Sequence, residues 1–226
     1  MNQILCFGDS NTYGLIPGTM GRFGWGIRWT SILDERVRRK NYRVIEEGLC
    51  GRTTIFDDRY RKGRKGAELL PILLEAHSPI DIVVLMLGTN DCKTAYGATS
   101  GQIGEGMEEL IDQIQFFNPD IRIVLASPIV LGAKVWEKGY DTEFNKNSVL
   151  VSRELPDIYE RIAKKRGIEF LAASDYAKPS SIDQEHMDMD RHRYFAASIS
   201  DKIENMIVRT SITREKKTPF YEEFAS

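Results

Sequence analysis

The 226-residue sequence predicts an α/β fold, a three-layer α/β/α sandwich with a central five-stranded parallel sheet. Short apolar runs alternate with segments of helical periodicity along the whole chain, a pattern typical of a parallel sheet covered by helices on both faces. The run IDIVVLML at Ile80–Leu87 is almost continuously apolar, as expected for a central strand that is buried on both faces. Neither a linker nor an internal repeat divides the chain, so we expect one domain.

Each predicted element occupies a defined stretch of the chain. The other four strands are predicted at Gln3–Phe7, Tyr42–Leu49, Ile121–Ala126 and Ile168–Ala172. Helices are predicted at Ile27–Lys40, Gly66–His77, Gly101–Phe117, Phe144–Arg166 and about Asp190–Val208. We expect Pro156 to interrupt the fourth of these helices, because proline cannot donate a helical hydrogen bond. The domain then covers 1–208, and 209–226 is a C-terminal tail that either packs on a neighbouring subunit of a homo-oligomer or is mobile.

Composition and charge exclude several classes of partner. A formal net charge of −2 gives no basic surface of the kind that binds nucleic acid. The N-terminus lacks the pattern of a signal peptide, and no apolar stretch approaches the roughly 20 residues of a membrane span. Cys6, Cys50 and Cys92 are an odd set without C-x-x-C spacing, which predicts neither a disulfide framework nor a zinc site. We therefore expect a cytoplasmic protein that acts on a small molecule, with no nucleic-acid or membrane partner.

The first predicted strand ends in the polar turn Gly8-Asp9-Ser10-Asn11. Open α/β sheets bind their ligands at the carboxyl ends of their strands, and a hydroxyl at such an end makes Ser10 a candidate nucleophile. The alternative is that this turn only caps the next helix.

Two further strands end in residues that are able to donate hydrogen bonds to a ligand. Gly51 follows the second strand, where a glycine lets the backbone approach a ligand and offer its N–H, although the turn alone also explains a glycine here. Asn90 follows the third strand, and its side-chain amide is suited to a developing oxyanion; the alternative is that it caps the next helix or stabilises its own turn. With right-handed crossovers, Ser10, Gly51 and Asn90 all lie at the same edge of the sheet.

Only three histidines are present, and one of them is placed to act as a base. His77 ends a helix near Pro79, where we expect a capping role, and His192 falls within the last helix as a surface or packing residue. His186 lies on the loop after the fifth strand, where it can turn one ring nitrogen toward a serine while a carboxylate holds the other.

Spacing alone does not identify the carboxylate that orients His186. Asp183 lies three residues before the histidine and is the first candidate. Asp188 and Asp190 follow the histidine closely and are rivals by proximity. The group makes a poor metal site, because no third nitrogen or sulfur ligand is at hand, and nothing in the sequence requires a metal or an organic cofactor.

Four short blocks together resemble the SGNH (GDSL-type) hydrolase family. They are FGDS at Phe7–Ser10, Gly51, GTND at Gly88–Asp91 and DQEH at Asp183–His186. Longer runs, including ILCFGDS and VVLMLGTND, are similar to the small bacterial arylesterase/acyltransferase branch, and the similarity covers most of 1–208. Asn11 departs from the pattern, since many members have leucine there, and the loops 14–26, 59–65 and 131–140 match no family pattern.

The resemblance implies a flavodoxin-like fold and a serine ester hydrolase that acts on small acyl esters, with acyl transfer to an alcohol as a further option. It implies Ser10 as the nucleophile, His186 as the general base and Asp183 as the residue that orients the histidine. The oxyanion hole would consist of the backbone N–H groups of Ser10 and Gly51 and the amide of Asn90. A carbohydrate O-acetylesterase of the same fold is one alternative. A non-catalytic flavodoxin-like binding module is the other, although the first loop lacks both phosphate-binding glycine patterns.

Overall fold

A five-stranded parallel sheet lies at the centre of the protein. The computed structural model describes residues 1–217 and the side chains of residues 1–209. The strands are β1 (Asn2–Gly8), β2 (Tyr42–Gly48), β3 (Ile82–Met86), β4 (Arg122–Ser127) and β5 (Glu169–Ala172). Their order in the sheet is β2-β1-β3-β4-β5, and every neighbouring pair is parallel. The predicted sheet is confirmed.

Helices cover both faces of this sheet, which confirms the predicted three-layer sandwich. They are α1 (Ser10–Tyr13), α2 (Trp29–Val37), α3 (Gly66–Ala76), α4 (Ser100–Phe117), α5 (Lys146–Arg166) and α6 (Met189–Lys217). Alternate side chains of a strand point to opposite faces. Leu5 and Phe7 of β1 accordingly pack with α3, α4 and α5, whereas Ile4 and Cys6 pack with α2 and α6. Two separate apolar cores result, one on each face.

Pro156 does not interrupt α5, so that prediction is wrong. The helix runs without a break from Lys146 to Arg166. A proline inside a helix costs about 3 kcal/mol through the lost hydrogen bond and the clash of its ring, whereas the burial of large side chains on both sides of the proline, such as Leu155 and Tyr159, contributes about 1.5–3 kcal/mol each. Packing against the sheet therefore outweighs the local preference for a break.

Helix α6 is longer than the sequence predicts, since it continues past Val208 to Lys217. The predicted tail at 209–226 thus begins within a helix. Its last part, 218–226, lies outside the described residues, and its packing on a neighbouring subunit stays a prediction.

The longer helices have well-defined ends. Helix α4 begins at a capping box formed by Thr99 and Gln102, and Asn145 and Ser148 form another at the start of α5. Gly167 ends α5 in the left-handed conformation. Within residues 1–217, no helix is long and apolar enough to cross a membrane.

The strand order places a crevice at the carboxyl end of β1. From this strand the chain passes to β2 on one side and later to β3 on the other, which makes the end of β1 a topological switch point. Gly8 of β1 pairs with Gly48 of β2 and with Met86 of β3, so the three strands end level with one another. The loops that follow them therefore meet at one edge of the sheet.

Candidate active site

Ser10 and His186 are joined by a hydrogen bond although 176 positions separate them in the chain. The Ser10 hydroxyl lies 2.9 Å from Nε2 of His186, and both residues are buried. Ser10 is the first residue of α1, directly after β1, and His186 lies on the loop between β5 and α6. The hydroxyl donates this bond when Nε2 carries no proton.

Asp183 holds the other nitrogen of the imidazole. Its Oδ2 lies 2.8 Å from Nδ1 of His186, which identifies Nδ1 as the protonated nitrogen and leaves Nε2 free to accept. The carboxylate also accepts backbone N–H bonds from Gly18 (2.9 Å), Glu185 (3.1 Å) and His186 (3.0 Å). Burial alone would raise the pKa of Asp183, but the hydrogen bonds from His186 and the backbone lower it below its ordinary value. Asp183 is therefore ionised and rigidly held.

The two rival carboxylates have other partners. Asp188 accepts a hydrogen bond from the backbone N–H of Arg191 (2.9 Å) at the start of α6. Asp190 is exposed and pairs with Arg193 at 3.2 Å. Of the three candidates in the sequence, the structure thus brings only Asp183 to the His186 ring.

Two backbone N–H groups beside Ser10 have no acceptor in the described part of the chain. They belong to Ser10 itself and to Gly51. Gly51 has a φ of +85°, a conformation that side chains disfavour, and a Cβ here would lie 2.5 Å from the Arg61 guanidinium. The backbone conformation therefore favours glycine at this position, whereas the flexible Arg61 side chain is able to move aside.

The Asn90 side chain is buried at the same edge of the sheet. One N–H of its amide donates to the carbonyl of Arg52 at 3.1 Å, which fixes the orientation of the group. An amide nitrogen carries two hydrogens, so the second remains to be donated to a ligand. The hydrogen bond to Arg52 is the one that the Asn90 side chain makes among the described residues, so a role as a helix cap does not explain it.

Buried polar residues that were not singled out from the sequence tie these three loops together. The Arg52 guanidinium lies 4.1 Å over the Phe7 ring and donates to the carbonyls of Gly8 (2.9 Å) and Glu47. The carboxyl of Asp91 accepts from the backbone N–H of Thr54 at 2.8 Å and from its hydroxyl at 2.5 Å. Burial raises the pKa of Asp91 to about 6.

Asn11 holds the loop that carries His186. Its Oδ1 accepts from the backbone N–H of Met187 at 2.9 Å, and its Nδ2 donates to the carbonyl of Glu185 at 3.4 Å. The backbone carbonyl of Asn11 in turn accepts from Nε1 of Trp29 at 3.1 Å. One side chain next to the serine thus holds the backbone on both sides of the histidine, a contact that a leucine cannot make.

The other two histidines, His77 and His192, contact neither Ser10 nor Asp183 in the described residues. His77 lies at the carboxyl end of α3, with Nε2 2.9 Å from Oε1 of Glu47. His192 is buried in α6, and desolvation lowers its pKa to about 4, so it packs as a neutral ring.

Comparisons with known proteins find one matching family and several similar solved structures. The model of the GDSL-like lipase/acylhydrolase family matches residues 6–195. No curated protein sequence matches the chain. One solved structure is 38% identical in sequence. The alignment covers 91% of this chain and 98% of that chain, with a TM-score of 0.87.

The descriptions of two further solved structures name an esterase. A carbohydrate acetylesterase from Sinorhizobium meliloti is 30% identical, with a TM-score of 0.83, and the alignment covers 91% of this chain and 100% of that one. An aryl esterase from M. smegmatis is 27% identical, with a TM-score of 0.81 and coverage of 91% and 99%.

Proposed function

The chain belongs to the GDSL-like lipase/acylhydrolase family and is a carboxylic ester hydrolase, and from this premise we propose that it cleaves small acyl esters through Ser10, His186 and Asp183. The observation that carries the proposal is the continuous set of hydrogen bonds from Asp183 through His186 to Ser10. A serine hydroxyl is a weak nucleophile until a neighbouring base takes its proton, and this arrangement supplies that base.

The reaction begins when Oγ of Ser10 attacks the ester carbonyl and its proton passes to Nε2 of His186. Asp183 holds Nδ1–H and stabilises the imidazolium. The tetrahedral intermediate then collapses: the bond between the carbonyl carbon and the alcohol oxygen breaks, and Nε2 returns the proton to that oxygen. Water repeats the sequence on the acyl-enzyme, which releases the acid and regenerates Ser10. An alcohol in place of water would give acyl transfer, and the ratio of the two products measures how far the enzyme uses that route.

Three donors would stabilise the oxyanion of the tetrahedral intermediate: the unpaired N–H groups of Ser10 and Gly51 and the second N–H of the Asn90 amide. Each is held before substrate arrives, so little reorganisation is needed when negative charge develops on the carbonyl oxygen.

Removal of one of these donors is testable at Asn90. Asn90→Ala is expected to lower kcat for p-nitrophenyl acetate by about 10²- to 10³-fold, because the developing charge loses one preorganised hydrogen bond. KM should change much less, since the ground-state carbonyl carries little charge. Steady-state kinetics, with thermal unfolding as the control for folding, measure both. A variant with the turnover of the wild type would remove Asn90 from the oxyanion hole.

The pH dependence of the reaction should follow the ionisation of His186, because only the neutral ring accepts the serine proton. Burial acts to lower the pKa of His186, but the hydrogen bond to Asp183 and the charge of Glu185 outweigh it and raise the pKa above its ordinary 6.5. As the pH falls through this raised pKa, kcat/KM is expected to drop about tenfold per pH unit. A profile of kcat/KM against pH measures the midpoint, and a midpoint below 6.5 would contradict the assignment.

A carbohydrate O-acetylesterase is the second candidate, and the 30% identity to the S. meliloti carbohydrate acetylesterase favours it. Hydrolysis of an acetylated sugar, compared with that of a small aryl ester, separates the two candidates. Family membership sets aside the alternative of a non-catalytic binding module. The cytoplasmic location, the homo-oligomer and the absence of nucleic-acid and membrane partners stay predictions.

The experiment that tests the proposed function is incubation with p-nitrophenyl acetate and its longer-chain homologues, together with labelling by a fluorophosphonate. We expect turnover of the short esters and a single covalent adduct on the peptide that contains Ser10. An adduct elsewhere, or hydrolysis without any adduct, would contradict the assignment of the nucleophile. The dependence of the rate on chain length measures the size of the acyl site.

A further inference from the structure

A buried carboxyl group beside His186 has no hydrogen-bond donor. Glu185 directly precedes the histidine, and its side chain is only 8% exposed. Oε1 lies 3.7 Å from Nε2 of His186, too far for a hydrogen bond, and no donor among the described residues reaches either carboxyl oxygen. Neither oxygen is among the fully enclosed unpaired polar atoms of the described residues, so the carboxyl group keeps some contact with solvent and is accessible to a hydrogen-bonding group of a ligand.

The position of Glu185 is fixed by its backbone. Its N–H donates to Asp183 at 3.1 Å, and its carbonyl accepts from the Asn11 amide at 3.4 Å. Asp183 and Asn11 also hold the backbone on either side of the His186 ring. The carboxyl group is therefore held with the catalytic loop and is not a mobile surface group.

This position lies on the alcohol side of a bound ester, if the proposed mechanism holds. Nε2 of His186 returns its proton to the departing alcohol oxygen, so that oxygen must come within hydrogen-bond distance of Nε2. The Glu185 carboxyl lies next to the same nitrogen. A hydroxyl on the carbon next to the one that bears the ester oxygen would thus come within reach of Glu185, whereas the acyl chain is attached to the carbonyl carbon on the other side of the scissile bond.

The charges around Glu185 favour a neutral donor over a cation. His186 and Lys93 supply positive charge, Asp141 and Asp9 supply negative charge, and the Lys93 ammonium is paired with Glu143 at 2.5 Å. Burial raises the pKa of Glu185 to about 7, so both protonation states are present near neutral pH. A hydroxyl donates to the carboxylate and accepts from the carboxylic acid, while an ammonium pairs only with the carboxylate.

We propose that Glu185 binds a free hydroxyl on the alcohol part of the substrate, on the carbon next to the one that bears the ester oxygen, and thereby selects esters of diols, polyols or sugars. This inference rests on the proposed function. It assigns the specificity for the alcohol part to one side chain. The bound hydroxyl supplies the hydrogen-bond partner that the protein itself does not provide.

The test compares two acetates that differ in one donor, 2-hydroxyethyl acetate and 2-methoxyethyl acetate. For the wild type, kcat/KM should be about 10- to 100-fold higher for the hydroxyl ester, the size expected for one hydrogen bond to a charged group. In Glu185→Leu the ratio of the two kcat/KM values should fall to about one, and in Glu185→Gln, which keeps an acceptor and a donor, it should be intermediate. The ratio cancels changes in folded fraction and in the chemistry that both esters share.

Asp190→Asn is the matched control, because it removes an exposed carboxylate from the start of α6, and the ratio should stay at the value of the wild type. Equal rates for the two esters in the wild type, or a ratio that Glu185→Leu leaves unchanged, would overturn the inference while labelling of Ser10 still supports the esterase mechanism. Failure of both hydrolysis and labelling would overturn the proposed function and the inference together.

Discussion

Ser10→Ala is expected to lower kcat for p-nitrophenyl acetate by about 10⁵- to 10⁶-fold, the largest effect of any single substitution in this protein. The Ser10 hydroxyl is the group that Nε2 of His186 contacts, so its loss leaves the base without a nucleophile to activate. The remaining turnover would come from the oxyanion donors acting on water. Initial rates, together with the loss of fluorophosphonate labelling, measure the effect.

Ser127→Ala is the matched control for this experiment. Ser127 is also a buried serine at the carboxyl end of a strand, and its hydroxyl has no hydrogen-bond partner among the described residues. We expect this variant to keep its activity within a few-fold, because no catalytic group contacts the hydroxyl. Activity that survives in Ser10→Ala within about tenfold of the wild type would refute the nucleophile and, with it, the mechanism.

Asp183→Asn is expected to lower kcat by about 10⁴-fold, the second largest effect. The asparagine amide is able to present its NH₂ group to Nδ1, which favours the tautomer with the proton on Nε2. That tautomer cannot accept the proton of Ser10. The variant also loses the negative charge that stabilises the imidazolium and raises its pKa, so the acid limb of the pH profile should move to lower pH.

Asp188→Asn separates this effect from a general loss of negative charge near the histidine. Asp188 caps the start of α6 through its bond to the N–H of Arg191, and asparagine is an equally good cap. The variant should therefore retain both stability and activity within a few-fold. The reverse result, with Asp188→Asn inactive and Asp183→Asn active, would transfer the orienting role to Asp188.

The fold was predictable because its signals are local. Each strand is a short apolar run followed by glycine and polar residues, and the run at Ile80–Leu87 contains the central strand β3. The prediction of helices fails where the local preference of a residue disagrees with its packing in the tertiary structure. Pro156 disfavours a helix locally, yet the apolar residues around it are buried against the sheet, and α5 stays continuous.

The candidate site was predictable in its parts. Ser10, Gly51 and Asn90 follow strand ends, and right-handed parallel connections bring such ends to one edge. His186 emerged by elimination among three histidines. In the sequence, Asn11 stands out only as a departure from a family pattern. Glu185 does not stand out at all, because it is one glutamate in a polar loop.

The sequence by itself determined the five strands, their parallel arrangement and the edge at which the polar residues gather, because hydrophobic periodicity and turn residues act over a few positions. Only the tertiary structure decided which carboxylate contacts the His186 ring, which N–H groups stay unpaired and what surrounds Asn11 and Glu185. Those properties depend on contacts between residues far apart in the chain, such as the 2.9 Å hydrogen bond that the backbone N–H of Met187 donates to Asn11, and on the position of the Glu185 carboxyl group, which no donor among the described residues reaches. A hydrogen bond or its absence is set by distance in space, which local sequence patterns do not specify.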